Sequence, residues 1–355
     1  MYKGQKEGTP SGDEAEALWE LAALERANEP VRKAVLTNWV QTPDLIVRAL
    51  AHDASGLHSA IGLNASLMTD YPSWASTAAT LLADALENPQ EQNSDRLFSF
   101  GEALAALAGR MNATNAAPVA ERIAKALENS QEKDSDRLHR LGEVLAVLTG
   151  RMDATNAAPV AERGAVVLAR ALENTQEQGF DRLYGLGTAL AALAGRMNAT
   201  NAAPVAERGA VVLAKALENP QGKISFRLPR LGGALAALVG WMDATNAAPV
   251  AERIVKALEN PQEKDFDRLS SLGEVLAALA GRMDATNAAP VAERIAKALE
   301  NPQEKDSFRL SRSGAVLAAL AGRMDATNAA PVAERIAKAL ENTQEQDFYL
   351  SLIHI

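Results

Sequence analysis

A ten-residue string, Ala-Thr-Asn-Ala-Ala-Pro-Val-Ala-Glu-Arg, is written six times along this chain of 355 residues, its proline falling at Pro118, Pro159, Pro204, Pro249, Pro290 and Pro331. A second string, Ala-Leu-Glu-Asn, is written seven times, its leucine at Leu86, Leu127, Leu172, Leu217, Leu258, Leu299 and Leu340. Both recur every 41 or 45 residues. A unit of that length is too small to enclose a core of its own and can bury an apolar face only against its neighbouring copies. The period therefore dictates an array rather than a globule with one centre.

The difference between the two spacings identifies the local structure. Most copies read Glu-Arg-Ile-Ala-Lys-Ala-Leu, whereas those starting at Glu162 and Glu207 read Glu-Arg-Gly-Ala-Val-Val-Leu-Ala-(Arg/Lys)-Ala-Leu. Four added residues are close to one α-helical turn; they lengthen a helix by roughly 6 Å and rotate the residues beyond them by only about 40°. An apolar insertion of that size points to a helix.

One copy, from Met111 to Gly150, can be read residue by residue. Asn112-Ala113-Thr114-Asn115 supplies capping side chains, and Pro118 is expected within about the first turn, where a missing N–H costs least. Val119, Ile123 and Leu127 then recur at helical spacing, and Asn129 ends this first helix, A. After a polar turn, Asp134 or Ser135 can cap a second helix, B, whose apolar face is Leu138, Leu141, Leu145 and Leu148. Gly142 and its equivalents, Gly101, Gly187, Gly232, Gly273 and Gly314, sit in the middle of helix B, at a cost of about 1 kcal/mol each relative to Ala. Close approach of a neighbouring helix is the expected reason. The Glu121-type and Arg122-type positions are expected to make polar contacts within and between copies. The fold class is thus all-α: an α-solenoid of stacked antiparallel helix pairs, about seven repeats of 41–45 residues.

The unit resembles a HEAT repeat, the α-solenoid family of scaffold and transport-receptor proteins. Pro159 matches its early proline, Arg182 its arginine at the start of helix B, and Leu190-Ala191-Ala192-Leu193-Ala194 its helix B tail, while Asn174 stands where the family usually has Asp. The resemblance covers residues 76 to 350. It implies a ladder linking consecutive units, with Arg137, Arg182, Arg227, Arg268 and Arg309 as its basic members. The chain is also similar to near-identical alanine-rich helical arrays found in many bacterial proteins.

Composition narrows the functions. A net charge of −9 gives no global attraction for a nucleic-acid backbone, and with no Cys there is neither a disulfide nor a thiolate site. No stretch approaches 18 uncharged apolar residues, and the first residues lack a leader-like apolar core. A soluble cytoplasmic protein with neither membrane nor nucleic-acid partner is expected. Catalysis needs different residues converging at one place, which positions repeated along an array do not supply. His52-Asp53 with His58 is a poor metal set, because the two histidines do not share a helix face, and no phosphate-loop or hydrolase motif is present. No enzyme, catalytic residue, metal, cofactor or small-molecule substrate is expected.

Residues 1–10 read as a disordered tail. Residues 11–75, which hold Trp19, Trp39 and Trp74, read as a helical cap or divergent repeat, and residues 76–349 as the array. The last six residues, Leu350-Ser351-Leu352-Ile353-His354-Ile355, resemble a translated sequencing adapter and break the pattern, so a fragment of a longer reading frame is expected.

What varies between copies is the surface to watch. After the Arg-Leu that opens helix B the residue is Phe98, His139, Tyr184, Pro229, Ser270 or Ser311, followed by Ser99, Arg140, Gly185, Arg230, Ser271 or Arg312. Trp241 replaces an Arg found in five other copies. Positions free of stacking duty can diversify, and aromatics and Arg are the residues that anchor interfaces. Phe98, His139, Arg140, Tyr184, Arg230 and Trp241 are the candidate partner-binding residues. The expectation is a protein-interaction scaffold for an unidentified protein partner; the alternative is the regulatory or docking arm of an enzyme whose catalytic domain lies beyond the end of this chain.

Overall fold

A computed structural model describes residues 72–342, apart from the connecting stretches 89, 91–93, 110, 130–134, 175–178, 219–227, 261–264 and 300–306. The expected N-terminal cap, the His52, Asp53 and His58 set and the C-terminal hexapeptide lie outside the described residues. Among the described residues every element is a helix. In chain order they are α1 (Pro72–Glu87), α2 (Ser94–Ala108), α3 (Ala113–Glu128), α4 (Ser135–Thr149), α5 (Ala154–Glu173), α6 (Phe180–Ala194), α7 (Ala199–Glu218), α8 (Leu228–Val239), α9 (Ala244–Leu258), α10 (Phe266–Ala280), α11 (Ala285–Leu299), α12 (Ser307–Ala321) and α13 (Ala326–Asn342). Odd numbers are A helices and even numbers B helices. The chain divides into two compact units, one ending at Val167 and the other beginning at Leu168, a boundary that falls inside α5.

Within each unit the packing is that of an α-solenoid. An A helix pairs with the B helix that follows it, as α3 with α4 and α9 with α10. B helices pack on the next B helix, as α2 on α4 and α8 on α10, and A helices on the next A helix, as α1 on α3 and α9 on α11. The few residues between one helix and the next allow only a reversal, so successive helices run antiparallel.

The helix ends follow from the repeated string. The Asn112 side chain accepts from the backbone N–H of Asn115 at 2.9 Å, and Asp243, Asp284 and Asp325 do the same for Asn246, Asn287 and Asn328. For helix B, Asp265, the counterpart of Asp134, accepts from the Arg268 N–H at 3.0 Å. Pro118 departs from expectation: it is the sixth residue of α3, not in its opening turn. The proline removes the N–H that would have met the Thr114 carbonyl, and all six of these prolines lie on the exposed side of their helix. Water can serve the orphaned carbonyl there, so the cost stays low.

The two helix types bury different faces. On α3 the buried stripe is Ala116, Val119, Ala120, Ile123, Ala124 and Leu127, one side of the helix. Helix α6 buries Leu183, Leu186, Gly187, Leu190, Leu193 and Ala194 together with Gly185, Ala189 and Ala191, most of its circumference, because it packs against both α7 and α8. Small residues are what permit that close approach. A Cβ on Gly187 would stand 2.9 Å from Leu213 Cδ1 and 3.4 Å from Ala234 Cβ, and one on Gly232 would stand 3.0 Å from Ser271 Cβ. The expected role of the mid-helix glycines holds at these positions. The four-residue insertions also lie in helix: α5 and α7 have 20 residues, against 16 in α3 and 15 in α9.

Two sets of arginines tie consecutive hairpins together. On the A helices, Arg163 reaches Glu121 at 2.7 Å and Glu128 at 2.6 Å, and Arg294 reaches Glu252 at 2.7 Å and Glu259 at 2.5 Å. Arg122 with Glu87 and Asp84, Arg208 with Glu173, Arg253 with Glu218 and Arg335 with Glu293 extend the same pattern. These pairs are about one-third exposed, so each contributes at most about 1 kcal/mol. The second set is buried. Arg137 on α4 donates to the carbonyls of Leu86 at 2.8 Å and Asn88 at 2.6 Å, and Arg268 on α10 donates to those of Leu217 at 2.5 Å and Glu218 at 2.8 Å. Each guanidinium thus closes the carboxyl end of the A helix in the preceding hairpin. Such ends carry unsatisfied carbonyls and a partial negative charge. Arg137 and Arg268, two of the five arginines expected to link consecutive units, do so with backbone carbonyls as the acceptors shown. Arg182 donates within its own hairpin, to the Ala171 carbonyl at 3.2 Å. Arg227 lies outside the described residues, and Arg309 is in the first turn of α12.

Candidate interaction ridge

The variable positions lie at the amino ends of the B helices, and B helices stack on one another within each unit. Side chains at this register therefore meet across the seam between hairpins. In the first unit Phe98, on α2, is 46% exposed, and the Arg140 guanidinium of α4 lies over its ring, 4.2 Å from the centroid. The arginine can lie flat there because α2 has Gly101 beneath it: a Cβ at that position would stand 3.0 Å from Arg140 Cδ and 3.1 Å from its Cβ.

The same arginine is held from its own helix. Arg140 Nη1 donates to Glu143 Oε2 at 2.5 Å, three residues on. His139 Nε2 stands 3.1 Å from Glu143 Oε1, four residues on along the same helix. Burial works against the charge of Glu143, but the combined influence of His139 and Arg140 outweighs it and holds the carboxyl below its ordinary range. Phe98, His139 and Arg140 are brought together, with Glu143 as their common anion. Glu143 was not among the candidates, although its spacing of four from His139 and three from Arg140 marks it as a same-face neighbour.

In the second unit the pairing repeats in looser form. Arg230 of α8 lies 6.0 Å from the ring centroid of Tyr184 on α6. Arg230 is exposed and Tyr184 half-buried. Trp241 is not part of this pair: it follows the carboxyl end of α8, roughly 16 Å further along the helix direction. There it is 39% exposed and its ring covers Gly195, where a Cβ would come within 3.0 Å of Cζ2. The arginines that Trp241 replaces serve as ties: Arg151 donates to the Met111 carbonyl at 3.0 Å and Arg282 to that of Met242 at 2.7 Å. In its own copy Trp241 substitutes ring packing for that hydrogen bond. Both aromatic–arginine seams are worth about 0.5–2 kcal/mol apiece.

Among the described residues no three His, Asp or Glu side chains are gathered as a metal site would require, and no helix is long and apolar enough to cross a membrane. No protein-family model matches the chain, and no curated protein matches it. Solved structures do. One is an engineered protein from a structural genomics consortium, with a TM-score of 0.45 at 16% identity over 68% of this chain and 97% of that one. Another is SYS-1, with a TM-score of 0.40 at 10% identity over 96% of this chain and 62% of that one.

Proposed function

We propose that this chain is a HEAT-like interaction scaffold that captures another protein along the amino ends of its B helices, and that it is not itself a catalyst. The observation that carries this reading is the contrast between fixed and variable positions. Those that hardly change from copy to copy are buried leucines, alanines and glycines, capping residues, or arginines engaged between hairpins. Those that change gather at one register and include exposed Phe98 and Arg230, the kinds of side chain that anchor interfaces. Stacking needs no aromatic there, since Ser270 occupies the same position in another copy.

The test is affinity capture with the whole chain as bait, comparing it with a variant in which Phe98, His139, Tyr184 and Arg230 are all changed to Ala. The same prey should be lost from the variant and kept by a second variant altered on the A helices, Lys125→Ala with Lys215→Ala. Undiminished capture by the fourfold variant would remove this reading.

A further inference from the structure

The fourth copy of the array differs from the others in charge. From Asn219 to Met242 there is no Asp or Glu, and there are three cations, Lys223, Arg227 and Arg230. The corresponding segment of each of the other five copies carries at least two carboxylates, such as Glu132, Asp134, Asp136 and Glu143 in the second and Glu177 and Asp181 in the third. In a chain of net charge −9 this segment is positive; that of the sixth copy, 301–324, is positive too but keeps Glu304 and Asp306, so the complete loss of carboxylates is what sets the fourth copy apart.

The structure shows the effect of that loss. Arg140 and Arg230 occupy the same position of the repeat, and each is directed to the aromatic ring of the hairpin before it. Arg140 has its anion in the same helix, Glu143 at 2.5 Å. Three residues beyond Arg230 the chain has Gly233, which is exposed, and a Cβ placed there would find nothing within 4 Å. Among the described residues no carboxylate pairs with Arg230. In the following hairpin, Glu274 accepts instead from Ser270 at 3.3 Å. Arg230 thus has a ring at its side, open space where its counterpart has a carboxylate, and Trp241 exposed on the same hairpin.

We propose that this copy, centred on Arg230 beside Tyr184, is a docking point for a carboxylate-rich segment of the partner protein, which supplies from outside the anion that Glu143 supplies internally to Arg140. The proposal rests on the scaffold reading and names the chemistry of its partner at one place. Charge complementarity selects the occupant: an exposed guanidinium flanked by an aromatic face and lacking its own anion recognises Asp or Glu side chains in preference to neutral ones.

The experiment uses the full chain and a fluorescein-labelled peptide of alternating Glu and Ala, followed by polarisation at low ionic strength. The Glu peptide is expected to bind, and to weaken as salt is added. Arg230→Gln and Gly233→Glu should each lower the affinity about threefold or more, the second by placing a competing carboxylate in the open position. Lys215→Gln, exposed on the A helix of the same hairpin, should leave it within about 1.5-fold. Gly233→Glu also replaces glycine in an exposed helix, so this variant should melt no lower than the parent, which separates lost binding from lost fold. A peptide with Gln for Glu that binds equally well, no binding by the Glu peptide, or indifference to both substitutions would each overturn the proposal. A phosphoserine peptide binding more tightly with the same dependence on Arg230 would assign the site to phosphate and overturn it too. If charge is irrelevant but the fourfold alanine variant still loses its prey, the scaffold reading survives and the acidic partner does not.

Discussion

The Arg137 guanidinium, carried by α4, donates to the carbonyl of Leu86 at 2.8 Å and so closes α1 from the neighbouring hairpin. The arginine is only 2% exposed. A charge is retained in that position because it meets two carbonyls, of Leu86 and Asn88, at the negative end of a helix dipole.

Arg137→Ala would leave the Leu86 and Asn88 carbonyls without this donor in a place water reaches poorly. The expected loss is about 2–4 kcal/mol. Urea denaturation followed by circular dichroism measures it, and hydrogen exchange should quicken first at the end of α1. Arg268→Ala should behave alike for α7. A loss under about 0.5 kcal/mol would show that the guanidinium is replaceable by solvent.

Two adjacent glycines of α8 should respond in opposite directions. Gly232→Ala drives a Cβ to 3.0 Å from Ser271 Cβ on α10, and overpacking of that kind costs about 1–3 kcal/mol. Gly233→Ala enters open space on an exposed helix face and should stabilise by about 0.5–1 kcal/mol. Thermal melts of the two single variants decide it. Equal effects of the same sign would mean that the seam between α8 and α10 is looser than the distances state.

These examples also mark what could be read from the amino-acid order. The period, the helix pairs, the cap at Asn112 and the lengthening of α5 and α7 all follow from local rules that a repeated string states many times over. Polar contacts within and between copies at the Glu121 and Arg122 positions were legible too, since opposite charges recur there at fixed places on stacked helices. What the order of residues does not give is how far one hairpin slides along the next. That offset decides that Arg137 meets carbonyls of Leu86 and Asn88, that Arg140 covers Phe98, and that Trp241 covers Gly195. The depth of Pro118 in its helix was missed for a different reason: capping began at Asn112, so the proline fell in the second turn, where exposure makes it tolerable.

The A-helix ion pairs predict acid sensitivity. Hydrogen bonds from Arg163 hold Glu128 below its ordinary range, and hydrogen bonds from Arg208 do the same for Glu173. A carboxyl depressed in the folded chain binds fewer protons there than in the unfolded chain. Its contribution is therefore complete above the unfolded value and is lost as pH falls through the depressed folded value. Melting temperature should fall on acidification below the ordinary carboxylate range, and less steeply in Glu128→Gln with Glu173→Gln. Since these pairs are well exposed, added salt should shrink the difference. An unchanged slope in the double variant would show that the pairs contribute nothing measurable.

The internal anion at Glu143 yields the converse of the docking argument. If Arg140 is unavailable to a partner because Glu143 already satisfies it, Glu143→Gln should release it while Phe98 still supports it from below. The variant is expected to gain affinity for the Glu and Ala peptide, about twofold over the parent. A larger gain is opposed by Asp136 and the other carboxylates that the second copy retains and the fourth lacks. Adding Arg230→Gln to Glu143→Gln should then leave a residual binding that Arg140→Gln removes. The same polarisation measurement reads all three. A Glu143→Gln variant with no gain, in a chain whose melting shows it folded, would mean that the missing carboxylate at Gly233 is not what makes Arg230 receptive.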